Sequence, residues 1–301
     1  MGIKITRASE PLHVERINVV IYGPPGVGKT SLAFTASKPL LLDFDGGAYR
    51  AANRKDSVQV ASWSDVANIT DADLAGYDTV VIDTAGRALD SLTADIIKAN
   101  PKHGRGGALT LQGFGELKAR FIAFLKLVNG FGRDVVLIAH MDEQRSGDEI
   151  IERLDVQGGS KNELYKAADA MGRISIVGGK RMLNFSPTDT SFGKNPARLP
   201  PLEVPHPDSG VAFLAGVIDE IKAQLNAQTE AQRRASSDMA SAREKIAEMQ
   251  TAAEFNSALP EIRSEPKAVQ SLFAKAAAAR GLSFDKSSGM YVEGIANASQ
   301  G

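Results

Sequence analysis

The sequence predicts an α/β protein: a mostly parallel β-sheet with helices on both faces, an antiparallel edge hairpin and a small helical appendage at the C-terminus. Three observations support this prediction. Short apolar runs alternate with helix-length segments through the first half of the chain. A glycine-rich turn follows the first run directly. The later part of the chain is alanine-rich and helical in pattern.

Five apolar runs predict the strands of the sheet. They cover residues 17–21, 39–44, 57–61, 79–82 and 134–139. Runs this apolar are typical of strands buried on both faces, which occur in parallel sheets. Between the fourth and fifth runs, apolar residues recur with the helical period: Leu117, Phe121, Phe124, Leu125 and Val128. The alternation of strands and helices predicts right-handed crossovers.

Beyond the parallel strands, the pattern predicts an edge hairpin and a change of domain. Residues 173–177 and 181–185 alternate polar and apolar side chains around two glycines, which is typical of an antiparallel hairpin. Residues 196–207 are rich in proline and are expected to end the core. We therefore predict a core domain over residues 1–222 and a helical appendage over residues 223–301.

The appendage contains signals for two helices. Thr251 and Glu254 form a capping-box pattern that opens one helix. A second is predicted over residues 266–280, ending before Gly281. The last residues, 287–301, are expected to be frayed. The appendage contains nine basic and nine acidic residues, so it carries no net charge that would select a ligand.

Composition excludes several classes of protein. The 301 residues are 43% hydrophobic and 24% charged, which is globular and excludes a disordered chain or a coiled-coil rod. The net charge of -1 gives no overall attraction to nucleic acid or anionic lipid, so such binding must be local. The lack of cysteine excludes thiolate metal sites and cysteine nucleophiles. No signal peptide or apolar span is evident, which predicts a cytoplasmic protein with no membrane partner.

The glycine-rich turn matches the P-loop pattern G-x-x-x-x-G-K-T between a strand and a helix start. In such a loop, backbone N–H groups and the helix N-terminus face the phosphates of ATP. Lys29 is expected to neutralise β- and γ-phosphate oxygens, and the Thr30 hydroxyl to ligate Mg²⁺. The predicted nucleotide-binding residues are Gly23, Pro24, Pro25, Gly26, Val27, Gly28, Lys29, Thr30 and Ser31. ATP and Mg²⁺ are the predicted cofactors.

Polar residues at the ends of three other strands are candidates for the same site, because ligands collect at the carboxyl edge of such sheets. Asp83 ends the fourth run and is predicted to hold Mg²⁺ through water; the alternative is a helix cap. Asp45, near Asp43, is the candidate base for the attacking water; alternatively both aspartates only start a turn. His140 ends the fifth run and either contacts the γ-phosphate or is structural.

This arrangement resembles the RecA/RadA recombinase ATPase core over about residues 15–205. The features that carry the resemblance are the P-loop after strand one, the D-x-D after strand two and the polar residue after the strand beyond Asp83. Within it, the chain is most similar to phage Sak-type single-strand annealing ATPases, a phage nucleotide-binding AAA family. RecA-like ATPases place glutamate where Asp45 stands, and commonly glutamine where His140 stands.

The resemblance implies single-stranded DNA as a partner. Residues 98–120 contain five basic residues and one acidic residue, a local charge that suits phosphate contacts. Within them, Lys102, His103 and Arg105 are candidate DNA-binding residues; alternatively the segment is a solvated loop. In the family a second DNA loop follows, corresponding here to residues 141–161, but this segment has three basic and six acidic residues. Only its end, with Lys161, resembles the family's glycine-containing turn.

The resemblance also implies self-assembly into a ring or filament. Lys194 and Arg198 match a K-N-x-x-R/K pattern that completes the neighbouring subunit's nucleotide site in RecA-type assemblies. Alternatively they are solvated cations. The implied function is ATP- and Mg²⁺-dependent annealing or strand pairing in phage-type recombination, in the cytoplasm of a bacterial host. The appendage would then dock a single-strand-binding protein or another subunit.

Three other functions compete with this one. A GTPase is favoured by the D-x-x-G at residues 83–86, but only Asp142 of the guanine-reading N-K-x-D is present. A small-molecule kinase would need an arginine-rich lid, and the region after Asp142 has only Arg145 and Arg153. A partner-recruiting ATPase scaffold without a DNA role stays open, since the appendage sequence does not discriminate.

Overall fold

A computed structural model describes residue 10 and residues 13–146, 149–156 and 160–293. The chain divides into two compact units, one over residues 13–226 and the other from residue 227 onward. Among the described residues, no helix has the length and apolar character needed to cross a bilayer.

The first unit contains eleven of the described strands and four complete helices, and a fifth helix begins in it. The strands are β1 (Asn18–Gly23), β2 (Pro39–Asp43), β3 (Ser57–Gln59), β4 (Thr79–Asp83), β5 (Gly104–Arg105), β6 (Ala108–Leu109), β7 (Asp134–Ser146), β8 (Glu149–Leu154), β9 (Ala170–Val177), β10 (Lys180–Asn184) and β11 (Leu202–Glu203). The helices are α1 (Lys29–Ala33), α2 (Ala85–Ala99), α3 (Leu111–Gly130), α4 (Ser160–Ala167) and α5 (Phe213–Glu248).

Nine of these strands form one sheet in the order β11-β10-β9-β1-β7-β4-β2-β3, with β8 added to β7. The six strands from β9 to β3 are mutually parallel. At the edge, β10 is antiparallel to β9 and β11 to β10. The predicted α/β fold with an antiparallel edge hairpin is therefore confirmed. Because β1, β4 and β7 run in one direction, the P-loop, Asp83 and His140 come to the same edge of the sheet.

Apolar side chains cover both faces of the sheet, as the uniformly apolar strands require. Strands β2 and β4 are buried along their whole length. One face packs on α2 and α3, and the five residues of the predicted α3 stripe are all at most 4% exposed. The other face packs on α1 and the first turns of α5, where Leu214, Ile218 and Ile221 are buried. The core thus continues beyond the proline-rich segment that was expected to end it.

Two local elements differ from the expectation. Helix α1 has only five residues. Strand β7 continues to Ser146 and pairs with β8, so that much of the segment expected as a DNA loop is a hairpin. Across this hairpin Asp142 faces Arg153 and Glu143 faces Glu152, and the Glu152 carboxylate forms an ion pair with Arg173 on β9.

The second unit has its own core. It contains the end of α5, α6 (Ala252–Ile262), α7 (Lys267–Ala279), β12 (Leu282–Asp285) and β13 (Met290–Glu293). The predicted capping box is present: Glu254 N donates to Thr251 Oγ1 at 3.3 Å, and Thr251 N donates to Glu254 Oε2 at 2.8 Å. The expected fraying is wrong for Met290–Glu293, because Tyr291 packs against Phe255 and Phe273. Residues 294–301 lie outside the described residues.

Candidate nucleotide site

The P-loop lies between the end of β1 at Gly23 and the start of α1 at Lys29. Two of its glycines are required by geometry. A Cβ atom on Gly23 would lie 2.3 Å from the carbonyl oxygen of Ile174, so no larger residue fits against β9. Gly28 has φ +89°, a left-handed conformation that L side chains rarely adopt. These positions hold the loop in the turn that precedes Lys29.

Lys29 is buried inside this loop, with 6% of the residue exposed. Its Nζ donates hydrogen bonds to the carbonyl oxygens of Gly23 and Pro24, both at 2.9 Å. Burial lowers the pKa of Lys29 to about 8, and the negative charges of Asp83 and Asp45 oppose that shift. The ammonium group is therefore still charged at neutral pH and lies where the loop converges.

Thr30 and Asp83 meet across the sheet edge. The Thr30 hydroxyl donates to Asp83 Oδ2 at 2.7 Å, and Asp83 is only 4% exposed. Burial raises the pKa of Asp83 to about 6, against the lowering effect of the Thr30 hydrogen bond. The peptide bond after Asp83 is cis, and Thr84, not Asp83, caps α2 by accepting from the backbone N–H of Arg87. A hydroxyl and a carboxylate held together are the hard oxygen donors that Mg²⁺ prefers, so these residues fit the ion.

The two aspartates after β2 have different surroundings. Asp43 is buried and accepts backbone hydrogen bonds from Gly47 and Ala48, each at 3.0 Å, so it fixes the turn that follows. Asp45 borders the cleft beside the P-loop. Arg50 and Arg87 form ion pairs with its two carboxylate oxygens, at 3.6 and 3.7 Å. Asp45 is thus positioned by cations from both sides.

His140 also borders the cleft. Burial, together with the positive charge of Lys29, lowers the pKa of His140, so the imidazole is neutral at pH 7. Its Nδ1 atom is buried and has no hydrogen-bond partner among the described residues. An unpartnered buried ring nitrogen in a cleft is able to hydrogen-bond a ligand or its water.

The cleft brings together eight of the residues predicted for the site: Gly26, Gly28, Lys29, Thr30, Ser31, Asp45, Asp83 and His140. It is also lined by Gly47, Arg50 and Ala51 from the turn after β2. The sequence analysis missed Arg50. Its only signal in the sequence is that a cation follows the D-x-D by a few residues, and no known pattern fixes the spacing between the two.

Lys194 and Arg198 do not line this cleft. Lys194 forms a backbone bridge with Met171, and its Nζ donates to the carbonyl oxygen of Ala168. Arg198 is exposed, with φ +55°. Within one chain, neither residue is placed to act on a nucleotide in its own P-loop.

The candidate DNA-binding residues fall into three environments. Lys102 and Arg105 are exposed beside the β5–β6 hairpin, without an ion pair among the described residues. His103 Nδ1 lies 2.7 Å from Glu116 Oε2. Lys161 belongs to α4, and its side chain lies outside the described part. Two other cations of the segment are neutralised locally, since Lys118 pairs with Glu163 and Arg120 with Asp95.

The sheet order, the P-loop and the contact between Thr30 and Asp83 define a P-loop nucleotide-binding protein. The chain belongs to the AAA domain family: the family model AAA_24, described as an AAA domain, matches residues 15–197. No curated protein matches the chain. Among solved structures it is similar to the RadB recombinase, with 14% identity over 56% of this chain and 79% of that one. The TM-score of that match is 0.33.

Proposed function

We propose that this protein binds ATP with Mg²⁺ in the P-loop cleft and hydrolyses it. The observation that carries the proposal is the hydrogen bond between Thr30 and Asp83 directly beside Lys29. A charged amine, a hydroxyl and a carboxylate at one end of a glycine-rich loop suit a metal-bound triphosphate and few other ligands. Bound there, Mg²⁺ would neutralise phosphate charge.

The protein groups divide the remaining work. Lys29 exchanges its hydrogen bonds to two loop carbonyl oxygens for hydrogen bonds to phosphate oxygens. This exchange needs little rearrangement because the ammonium group already lies in the loop. Asp45 accepts a proton from the attacking water, and Arg50 and Arg87 hold its carboxylate in place. His140 presents its neutral imidazole to the γ-phosphate or to that water.

We further propose that the ATPase acts on single-stranded DNA and promotes annealing or strand pairing, as in phage-type recombination. Support comes from Lys102 and Arg105, which are exposed cations with no carboxylate partner in the described part of the chain. Exposed, unpaired cations on a glycine-containing turn can follow a flexible phosphate backbone. The neutralised cations nearby, such as Arg120, are expected to contribute little.

The proposed assembly is a ring or filament in which Lys194 and Arg198 act on the neighbouring subunit's nucleotide. Their position outside the cleft of their own chain is compatible with action in trans. Replacing both by alanine should lower ATP turnover at protein concentrations where subunits associate and leave the turnover of isolated subunits unchanged. A loss of the same size at both concentrations, measured with sedimentation as the control for assembly, would contradict this part.

The experiment that tests the proposed function is an ATPase assay at pH 7 with Mg²⁺, with and without single-stranded DNA. We expect ATP hydrolysis that increases when DNA is added. Hydrolysis without any response to DNA would favour the partner-recruiting scaffold. Displacement of a bound ATP analogue by GTP far better than by ATP would favour a GTPase. No hydrolysis under any of these conditions would overturn the enzymatic assignment.

A further inference from the structure

Arg181, on β10 of the antiparallel hairpin, lies against the P-loop. A Cβ atom placed on Gly28 would be 2.7 Å from Nη1 of Arg181. The guanidinium group therefore occupies the space beside the residue that immediately precedes Lys29. The sequence analysis assigned Arg181 only to the edge hairpin. The antiparallel pairing of β10 with β9, next to β1, brings it to the loop.

The contacts of Arg181 are unusual among the partly buried arginines of this unit. Its Nη2 donates to the carbonyl oxygen of Pro205, and no carboxylate lies within ion-pair distance among the described residues. The other four have a charged or aromatic partner: Arg120 with Asp95, Arg133 with Asp71, Arg173 with Glu152 and Arg153 over the ring of Phe192. A guanidinium has five N–H donors and a permanent charge, so one carbonyl leaves most of its capacity unused.

Arg181 does not belong to the lining of the cleft that contains Asp45 and His140. It borders instead a small neighbouring depression with Thr35, Pro205 and His206, which shares Ser31 with the cleft. A nucleotide bound with its γ-phosphate toward Asp45 would present the phosphates nearer the nucleoside to a cation beside Ser31. Those phosphates are present in both ATP and ADP.

We propose that Arg181 is a nucleotide-binding residue that acts within its own subunit and donates hydrogen bonds to the α- or β-phosphate. This proposal rests on the proposed function and adds a cation to the site that the P-loop pattern does not contain. The planar guanidinium suits two oxygens of a phosphate at once, which an ammonium group cannot match. Nucleotide phosphate would thus provide the anion that Arg181 lacks in the protein.

The test compares the dissociation constants of ATP and ADP, measured by calorimetry at pH 7 with Mg²⁺, for wild type, Arg181→Gln and Arg181→Lys. Removing a charge-assisted contact should weaken both nucleotides by about 10- to 100-fold in the glutamine variant. The lysine variant should recover part of the loss. Lys180→Gln is the matched control, since it removes one charge from the same strand, and it should bind like wild type.

The outcomes separate a binding role from a structural one. Melting temperatures without nucleotide show whether the loss of the Pro205 contact destabilises the fold. If Arg181→Gln is less stable but binds both nucleotides within about 2-fold of wild type, the residue is structural and the proposal is wrong. A loss for ATP alone would contradict the placement at the α- or β-phosphate. If wild type binds no nucleotide, the proposed function itself fails; if Lys29→Ala loses binding and Arg181→Gln does not, only the Arg181 inference fails.

Discussion

The P-loop cleft and the basic turn, residues 100–107, both carry charged side chains, but they hold them in opposite ways. In the cleft, Lys29 and Asp83 are nearly inaccessible and engaged with neighbouring protein groups. In the basic turn, Lys102 and Arg105 are exposed and have no ion pair in the described part of the chain. Buried, fixed charges select a compact ligand of definite shape, whereas exposed ones suit a flexible polymer with salt-dependent affinity. The two regions therefore call for different tests.

The largest expected effect follows from Lys29→Ala. This change removes the buried cation of the cleft while the loop keeps its glycines, so ATP affinity should fall by more than about 100-fold, as for other broken charge contacts in buried sites. Equilibrium dialysis with labelled ATP measures it. Lys38→Ala is the control, because Lys38 is an exposed lysine paired with Asp78 and should bind ATP normally. If Lys29→Ala bound ATP as tightly as Lys38→Ala, the assignment of this cleft as the ATP site would be wrong.

Asp45→Asn should separate turnover from binding. An amide cannot accept the proton of the attacking water, so the maximal rate should fall by about 100-fold. ATP affinity should change by less than about 3-fold, since the metal-site residues Thr30 and Asp83 are untouched. Single-turnover kinetics gives the rate and calorimetry the affinity. An unchanged rate would show that another group activates the water.

The cleft should also impose a pH window on Mg-ATP binding. Asp83 is ionised above its pKa of about 6, and Lys29 is protonated below its pKa of about 8. Affinity should therefore be highest between pH 6 and pH 8 and fall by up to about tenfold per pH unit on either side. Calorimetry across pH 5–9 checks this prediction. An affinity that does not change with pH would contradict the shifted pKa values of Asp83 and Lys29.

The stability of the nucleotide-free chain should respond to Asp83 with the opposite sign. Because the pKa of Asp83 is raised on folding, its protonation favours the folded state below its unfolded pKa of 3.8, and this contribution is lost as the pH rises through about 6. The difference in unfolding free energy between wild type and Asp83→Asn, measured by denaturant titration, should vary across that range. A constant difference would contradict the raised pKa.

The smallest effect belongs to the basic turn. Replacing Lys102 and Arg105 by alanine should weaken binding to single strands of any sequence and lower the slope of log affinity against log salt by about 1.4, for two lost phosphate contacts. Fluorescence anisotropy at several salt concentrations measures both. Lys118→Ala is the control, since Lys118 is paired with Glu163. An unchanged salt slope in the double variant would contradict a DNA-binding role for the basic turn.

The P-loop and Asp83 could be placed from the sequence, whereas Arg50 and Arg181 could not, because the two pairs depend on different kinds of information. The P-loop is a contiguous pattern, and Asp83 ends an apolar run, so local order was enough to place both. Arg181 and Arg50 carry no local signal; Arg181 reaches Gly28 only through the order of strands in the sheet. For Asp43 and Asp45, strand periodicity put both on one face, and only the turn at Gly47 separates the structural residue from the cleft residue.

The departures from the predicted fold have similar causes. Strand β8 was missed because charged residues dominate its segment, and because its partners, β7 and the Arg173 side chain that pairs with Glu152, come from elsewhere in the chain. Strand β13 was expected to fray because it belongs to the last residues of the sequence, but Tyr291 packs in an aromatic core built by α6 and α7. Long-range pairing of this kind is not encoded in any local window.

The most direct test of the central claim is a calorimetric titration of the wild-type chain with ATP at pH 7, once with Mg²⁺ and once with a chelator. The arrangement of Lys29, Thr30 and Asp83 predicts saturable binding of one nucleotide per chain, with clearly higher affinity when Mg²⁺ is present. Absence of binding, or binding that is indifferent to the metal, would contradict the assignment of this cleft as a Mg-ATP site.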